Sequence, residues 1–520
     1  MKPRGWTRFL KWPLTAAVTA AGLYLVFNIY ATGNPLWAFA ALAILSLGLF
    51  VYLSDFAPAY QYLFPGLAGM IVFVAFPLLY TAQIGFTNYS SSNLLRLERA
   101  REYLLEQTAP DESRALGYTL HADGNEYRIV LAALDDGTSG IAAPSQKPMY
   151  VSPSLALLAP RPAEKTTMQP AAQASFQIDK PLPLIEIIRH RDILMQLKLQ
   201  LPDGTVLTYA GLREFGPREP LWNSGIDGAL VSIATGEQFR SNTETGFFEN
   251  DKGARIQPGF KVGVGFRNYS RMIFDPDFRG PFLSIFIWTV IFSALTVLFT
   301  LVIGLTLAVL LNWESLRFRN LYRTLLFLPY AVPAFISILV FKGLFNQNFG
   351  EINAILDALF GVKPAWFADP LLAKAMILLV NTWLGYPYIM VLCSGLIKSI
   401  PADLYEASAI AGASPLANLQ KITAPLIVKP LTPLLISVFA FNFNNFVLIA
   451  LLTNGRPDYL NTKLPAGTTD ILVSYTYRIA FQDSGQNYGL AAAISTVIFL
   501  VVALLSMANL RIARVNQQTP

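Results

Sequence analysis

Long stretches without a single Asp, Glu, Lys or Arg constrain this chain more than any other feature. Trp12–Ser54 is uncharged, and so are Phe56–Leu95, Gly280–Trp313, Thr324–Phe341, Ala375–Ile397, Pro430–Gly455 and Ser484–Leu510. A bilayer core takes about 20 apolar residues of helix. A turn signal at Thr32-Gly33-Asn34-Pro35 divides the first stretch into two such segments, and Tyr62–Phe86 supplies a third. The reading is therefore eight transmembrane helices. The shortest stretch, 324–341, gains length from Leu321 and Tyr322 if Arg323 reaches the interface. Composition agrees: 53% of residues are hydrophobic and 14% charged, against ~25% charged in soluble domains. A soluble surface could not be covered by so few charges.

The N-terminus carries Lys2, Arg4, Arg8 and Lys11 before an apolar run, as a signal peptide does. A second apolar segment comes after only a tight turn, with no small-x-small cleavage site, so a retained helix is expected. With eight spans both termini share a side. Twelve Lys/Arg, in the clusters at 2–11, 317–323, 398–429 and 511–514, fall there, against six in the opposite short loops: Lys342, Lys363, Lys374, Arg456, Lys463 and Arg478. The positive-inside rule then makes both termini cytoplasmic and places residues about 88–280 outside. The expected organisation is 1–87, helices one to three; 88–280, an extracytoplasmic domain; and 281–520, a core of helices four to eight with a cytoplasmic loop at 398–429.

Residues 96–279 hold 21 Lys/Arg and 23 Asp/Glu, a net of −2, so the excess behind the overall +6 lies in the membrane flanks. That distribution argues against a nucleic-acid surface. The inserted domain reads as β-rich. Leu194–Leu201 alternates apolar and polar residues, Pro202-Asp203-Gly204 turns, and Thr205–Leu212 returns; Asp123-Gly124 and Asp136-Gly137 are further turn signals. Residues 141–183, rich in Pro, Ala, Ser and Thr, read as a loop or a loosely ordered segment. The lone Cys393 excludes an intrachain disulfide and a Cys-based zinc site, and the two histidines, His121 and His190, read as surface residues. No Gly is followed by Lys, so there is no P-loop for ATP hydrolysis. Neither metal, cofactor nor catalytic residue is expected.

The loop at 398–429 is too long for a plain connector, which takes about 2–8 residues. Asp403 and Glu406 fit an N-cap and N3 pair opening a helix over Leu404–Ala411. Gly412 fits the left-handed position that ends it, and Ser414-Pro415 fits the start of a second helix. Asn381, Leu384, Gly385 and Tyr388 recur at helical spacing on one face of helix six. Phe441, Asn442 and Asn445 do so on helix seven. Amides donate and accept, as sugar hydroxyls require. Aromatic rings offer flat apolar faces to pyranose C–H bonds. Asparagines in membrane helices also act simply as interhelical glue, and residue pattern leaves both readings open.

Glu406-Ala407-Ser408, three residues, Gly412, nine residues, and Ile422-Thr423-Ala424-Pro425 resemble the EAA loop of ABC importer permeases, with Ser408 and Ala424 as mild departures. Lys429–Pro433, Phe439–Phe446, Leu451–Gly455, Asn381–Tyr388 and Phe327–Pro333 resemble the maltose/maltodextrin permeases within that family. The similarity is strong over about 260–515 and weaker in the extracytoplasmic domain. It implies an all-α polytopic protein of the type I ABC importer fold with an inserted β-rich domain, in a bacterial inner membrane. It also implies four kinds of partner: a second permease chain, two copies of an ATPase subunit, a periplasmic sugar-binding protein, and maltose or maltodextrin as substrate. Glu406, Ala407 and Gly412 would couple to the ATPase. Positions matching Tyr330, Asn381, Leu384, Gly385, Tyr388, Phe441, Asn442 and Asn445 line the family's sugar site. Family members carry Ser where this chain has Ala334 and Val438.

Two other functions compete. An ion-coupled secondary sugar transporter normally holds Asp, Glu or His within its helices, and the uncharged spans contain none. A receptor would need a cytoplasmic output domain, and no cytoplasmic segment exceeds about 35 residues, too short for one. The topology has a direct check. Cysteines placed at Gly140 or Thr245 should react with a membrane-impermeant reagent in intact cells, and cysteines at Phe318 or Ile410 should not. The opposite pattern would invert the orientation.

Overall fold

The computed structural model describes residues 5–54, 58–124, 126–135, 143–155, 165–173, 180–313, 315–460 and 462–518. Among these, seven helices are long and apolar enough to cross a bilayer: Trp12–Ala31, Pro35–Leu53, Ala59–Gly85, Pro276–Asn312, Pro370–Ile397, Pro415–Phe443 and Tyr488–Arg511. Arg319–Ala331 and Ala334–Leu344, bent by 91° across a short break, are long and apolar enough only as a pair; taken as one broken span, the fifth, they bring the number to eight. The uncharged 324–341 stretch is thus not one straight span. Val332 is extended ahead of Pro333, as a residue before proline prefers, and Pro333 then starts a new helix. Prolines leave milder marks elsewhere. Wide π turns at Ile71–Ala75 and Leu419–Thr423 lead into Pro77 and Pro425. A proline removes one N–H and crowds the carbonyl four residues back, and a wider turn relieves both.

Two compact units are present, Ser92–Val262 and the remainder of the chain. In the membrane unit the fourth span, Pro276–Asn312, and the sixth, Pro370–Ile397, form the central pair. Asp275 caps the fourth, accepting from Asp277 N at 3.0 Å, with Pro276 at its first position. Asp369 caps the sixth, accepting from Leu371 N and Leu372 N at 2.8 Å. A Cβ on Gly304 would lie 2.9 Å from Met390 N, and one on Gly385 would lie 2.9 Å from Thr300 Cγ2. Glycine therefore permits the close approach of these two helices. In lipid such contact, rather than expulsion of water, drives helices together. The buried hydroxyls of Thr289, Ser293 and Thr300 donate to the carbonyls of Ile285, Thr289 and Thr296 on their own helix, which removes the cost of an unpaired polar group in an apolar core. By contrast the first three spans expose Leu25, Phe27, Phe39, Phe50 and Phe73, an apolar surface suited to acyl chains.

The Ser92–Val262 unit is β-rich. A nine-stranded sheet and a five-stranded antiparallel sheet, Trp222–Ser224 through Arg255–Ile256, make its frame. Leu116–Asp123 and Glu126–Asp135 form the hairpin signalled by Asp123-Gly124, with Gly124 at φ 63°. The Asp136-Gly137 signal lies outside the described residues. Lys198–Gln200 pairs with Val206–Gly211 across the Pro202–Gly204 turn. The strand is shorter than its alternation suggests, because Arg191–Leu194 is helical. Tyr118, Leu120, Ile129, Leu131, Leu199, Leu207 and Phe215 fill the core of the larger sheet.

Two expectations are corrected here. Ala143–Val151 is not loop but a strand paired with Glu126–Asp135, despite its prolines. His121 is not a surface residue: it is buried, with Nε2 2.8 Å from Thr119 Oγ1. A local hydroxyl partner offsets the cost of burying its ring nitrogen.

Candidate substrate site

The fourth, sixth and seventh spans meet at a trio of asparagine amides. Asn381 Nδ2 donates to Asn442 Oδ1 at 2.7 Å and to Thr296 Oγ1 at 3.1 Å, and Asn445 Nδ2 donates to Asn381 Oδ1 at 3.2 Å. Asn442 Nδ2 donates to Val438 O at 2.8 Å, one turn back on its own helix. Asn381 and Asn442 are buried, and Asn445 is half-buried. The trio is a self-satisfied network with both donors and acceptors, chemistry that can be exchanged for the hydroxyls of a polyol.

The helix expected to carry both Asn442 and Asn445 differs from that expectation. It begins at Pro415, runs to Phe443 and stops; Phe446–Leu452 is a separate short helix. Asn445 is not in the interior of a continuous helix but sits at the N-cap of the short one, where its side chain accepts from Leu448 N at 3.4 Å. Asn442 and Asn445 still meet Asn381, yet by virtue of the break rather than a shared helical face. Phe441 does not share that face either: it is 70% exposed while Asn442 is buried.

The remaining candidates are distributed around this centre. Leu384 packs against the apolar cluster of Trp288, Phe292 and Val380. Gly385 faces Thr300 of the fourth span. Tyr330 and Tyr388 present exposed rings, Tyr330 at 5.2 Å from the ring of Phe327. Ala334 opens the second half of the broken fifth span. Both positions where family members carry Ser, Ala334 and Val438, therefore lie at or one turn from an interruption or an amide of the trio.

In the loop, the helix covers Ala402–Ile410 with Pro401 as its N-cap, so Asp403 lies in the first turn instead of capping it. Pro401 has the fixed φ that enters a helix, and it shifts the start ahead of Asp403. Gly412 has φ 71°. Its N–H donates to Ala409 O at 3.0 Å and the N–H of Ala413 to Ser408 O at 3.1 Å, the paired bonds of a left-handed helix end. Ser414 caps the Pro415–Asn418 turn of helix, accepting from Ala417 N at 3.3 Å. Tyr405 OH lies 2.9 Å from Thr423 Oγ1, and Ser408 pairs with Asn418. The short helix is thereby tied to the start of the seventh span. Glu406 and Ala407 are exposed, and Ile410 is 90% exposed, leaving one side of the helix open.

A second polar cluster went unread in the sequence. Arg478, counted among external loop cations, is buried; it pairs with Asp470 at 2.8 Å and with Asp458 at 2.6 Å. Asp470 also accepts from Gly467 N and from Ser474 Oγ. Burial pushes its carboxyl above the usual range, and Arg478 opposes that rise. The eight-residue separation of Asp470 and Arg478 carries no motif, and nothing in the sequence marks them as partners.

Comparison with known proteins accords with this architecture. Residues 95–265 match the model of the maltose transport system permease protein MalF P2 domain. Residues 300–514 match the binding-protein-dependent transport system inner membrane component, and 9–55 the N-terminal transmembrane helices of MalF. The maltose/maltodextrin transport system permease protein MalF of Yersinia pestis is 47% identical over 98% of this chain and 94% of its own length. That of Escherichia coli K12 is 47% identical over 98% and 97%, and that of Vibrio cholerae 46% identical over 100% and 97%. With its spans, inserted domain and near full-length identity to these relatives, the chain belongs to the MalF family of ABC importer permeases.

Proposed function

We propose that this chain translocates maltose or maltodextrins, with the Asn381–Asn442–Asn445 trio receiving sugar hydroxyls. The observation that carries the reading is a hydrogen-bonding network of interchangeable amides where the seventh span is interrupted, in a chain whose relatives are named for maltose transport. Polar groups and broken backbone at membrane depth belong where a helix lines a path. Leu384, Gly385, Tyr330, Tyr388 and Phe441 complete the site in this reading, the aromatic rings stacking on pyranose faces as the path opens. The chain does not hydrolyse ATP itself. A dimeric MalK-like ATPase docks on the open side of the 402–410 helix around Glu406, Ala407 and Gly412. A MalG-like second permease chain completes the pathway, and a MalE-like binding protein delivers the sugar on the periplasmic side, where residues about 88–280 lie. The location is the bacterial inner membrane with both termini cytoplasmic.

The sugar site and simple helix adhesion predict different losses. With Asn442→Ala, a sugar hydroxyl left unpaired in a buried site costs about 1–3 kcal/mol. Transport per assembled complex should fall at least about fivefold in proteoliposomes with ATP inside. Complex yield should hold. If yield or melting temperature falls while transport per complex is unchanged, the amides are adhesive only.

The loop assignment has its own check. Gly412→Val places a β-branched side chain at positive φ, a strain of about 1 kcal/mol or more. Sugar-stimulated ATP hydrolysis and co-purification of the ATPase should drop, with the spans still inserted. Wild-type transport in Gly412→Val would remove the coupling role.

A further inference from the structure

The Asp470–Arg478 pair is joined to the asparagine trio through one short element. Phe446–Leu452 has seven residues, about 10 Å of helix. Its first end is capped by Asn445, which meets Asn381. Its other end runs directly into a tightly bonded loop. Thr453 Oγ1 lies 2.9 Å from Thr469 Oγ1, and Asn454 N donates to Ile449 O at 2.7 Å. Thr469 N donates to Gly455 O at 3.2 Å, and Thr469 Oγ1 to Arg456 O at 2.7 Å.

The Asp470 carboxylate closes this loop. Gly455, at φ 80°, lies so near it that a Cβ would collide with Oδ1. Gly467 N donates to Oδ2 at 2.8 Å, Ser474 Oγ to Oδ1 at 2.7 Å, and Arg478 Nη1 to Oδ2 at 2.8 Å. Arg478 Nη2 reaches back to Asp458 at 2.6 Å. The guanidinium thus bridges both strands of the loop, and Leu472 N donates to Thr289 Oγ1 of the fourth span at 3.0 Å. Leu448, Ile449 and Leu452 on the short helix are packed with Ile471 into the same apolar cluster as Trp288 and Val380. Asp470 is 0% exposed and Arg478 6%. Charges so buried are costly, and the cost is offset only when geometry is held closely. What they hold here is the far end of the helix that presents Asn445.

We infer that Asp470 and Arg478 are positioning residues for sugar selection: the buried pair sets the placement of the 446–452 helix, and through it the meeting of the Asn445 and Asn381 amides. The inference rests on the sugar-site reading above. Neither residue touches the sugar.

The test uses the assembled complex in proteoliposomes with saturating binding protein, and compares maltose with maltotetraose uptake per complex. Asp470→Asn keeps the shape and removes the charge. Arg478→Lys keeps the charge and loses the fork that spans two carboxylates. Either variant should shift the maltose-to-maltotetraose ratio by about threefold or more, in the direction given by Asn445→Ala. Combined with Asn445→Ala, either should add little further shift, because residues acting through one another are non-additive. A purely structural role would lower yield and scale both sugars equally, leaving the ratio unchanged; that result, or failure of both variants to assemble, overturns the proposal. An Asn445→Ala variant with unaltered transport would instead remove the sugar site itself. A shift in Asn445→Ala without one in Asp470→Asn or Arg478→Lys refutes the positioning role alone.

Discussion

A bilayer provides no hydrogen-bond partners for a broken helix, so every interruption at membrane depth must satisfy its backbone groups within the protein. This requirement organises the membrane unit. At Asn444–Asn445 the freed groups are taken up locally: Asn444 N donates to Phe441 O, Asn445 N to Asn442 O and Phe446 N to Asn444 O, while the Asn445 side chain caps the next helix. Between the fifth and sixth spans, Tyr386 OH donates to Leu326 O at 2.9 Å. Asn442 and Asn445 take part both in that repair and in the amide trio. The proposed sugar contacts draw on the same donor and acceptor chemistry as that repair.

The same constraint explains how motion could travel. Pro415–Phe443 runs 29 residues as a continuous helical element, about 44 Å long. One end is tied to the Ala402–Ile410 helix by Tyr405 and Ser408, and the other carries Asn442. In the proposed coupling this element carries a displacement of the loop to the trio, with give at the π turn 419–423 and at Pro430 and Pro433. Beyond the trio, the 446–452 helix is fixed from the opposite end by Asp470 and Arg478. The trio therefore lies between an element tied to the 402–410 helix and one held at its far end by the buried pair.

Much of this was legible in the chain. Absence of charge located the spans, since a charged residue at a bilayer centre is costly, and Gly412 with Ser414-Pro415 announced the loop geometry found. What escaped shares one cause: contacts decided by tertiary packing. The break at Asn445 has no proline or glycine to mark it, and Asn442, Asn444 and Asn445 around it read equally well as polar residues of one uncharged span from Pro430 to Gly455. The fifth span is the reverse case, where Pro333 was visible but the 91° bend was not. Arg478 looked like a loop cation because its partners, Asp458 and Asp470, come from turns whose fold no local rule predicts. Strand 143–151 was hidden by its Pro and Ser content, overridden by pairing with Glu126–Asp135.

In the proposed function, sugar exchanges for the mutual hydrogen bonds of the asparagine trio. A sugar-loaded structure of the assembled complex tests it most directly. Such an exchange places a pyranose with hydroxyls within about 3 Å of the Asn381, Asn442 or Asn445 amides, and opens at least one of the Asn381–Asn442 and Asn381–Asn445 bonds. A sugar bound elsewhere, with both of those bonds intact, would contradict it.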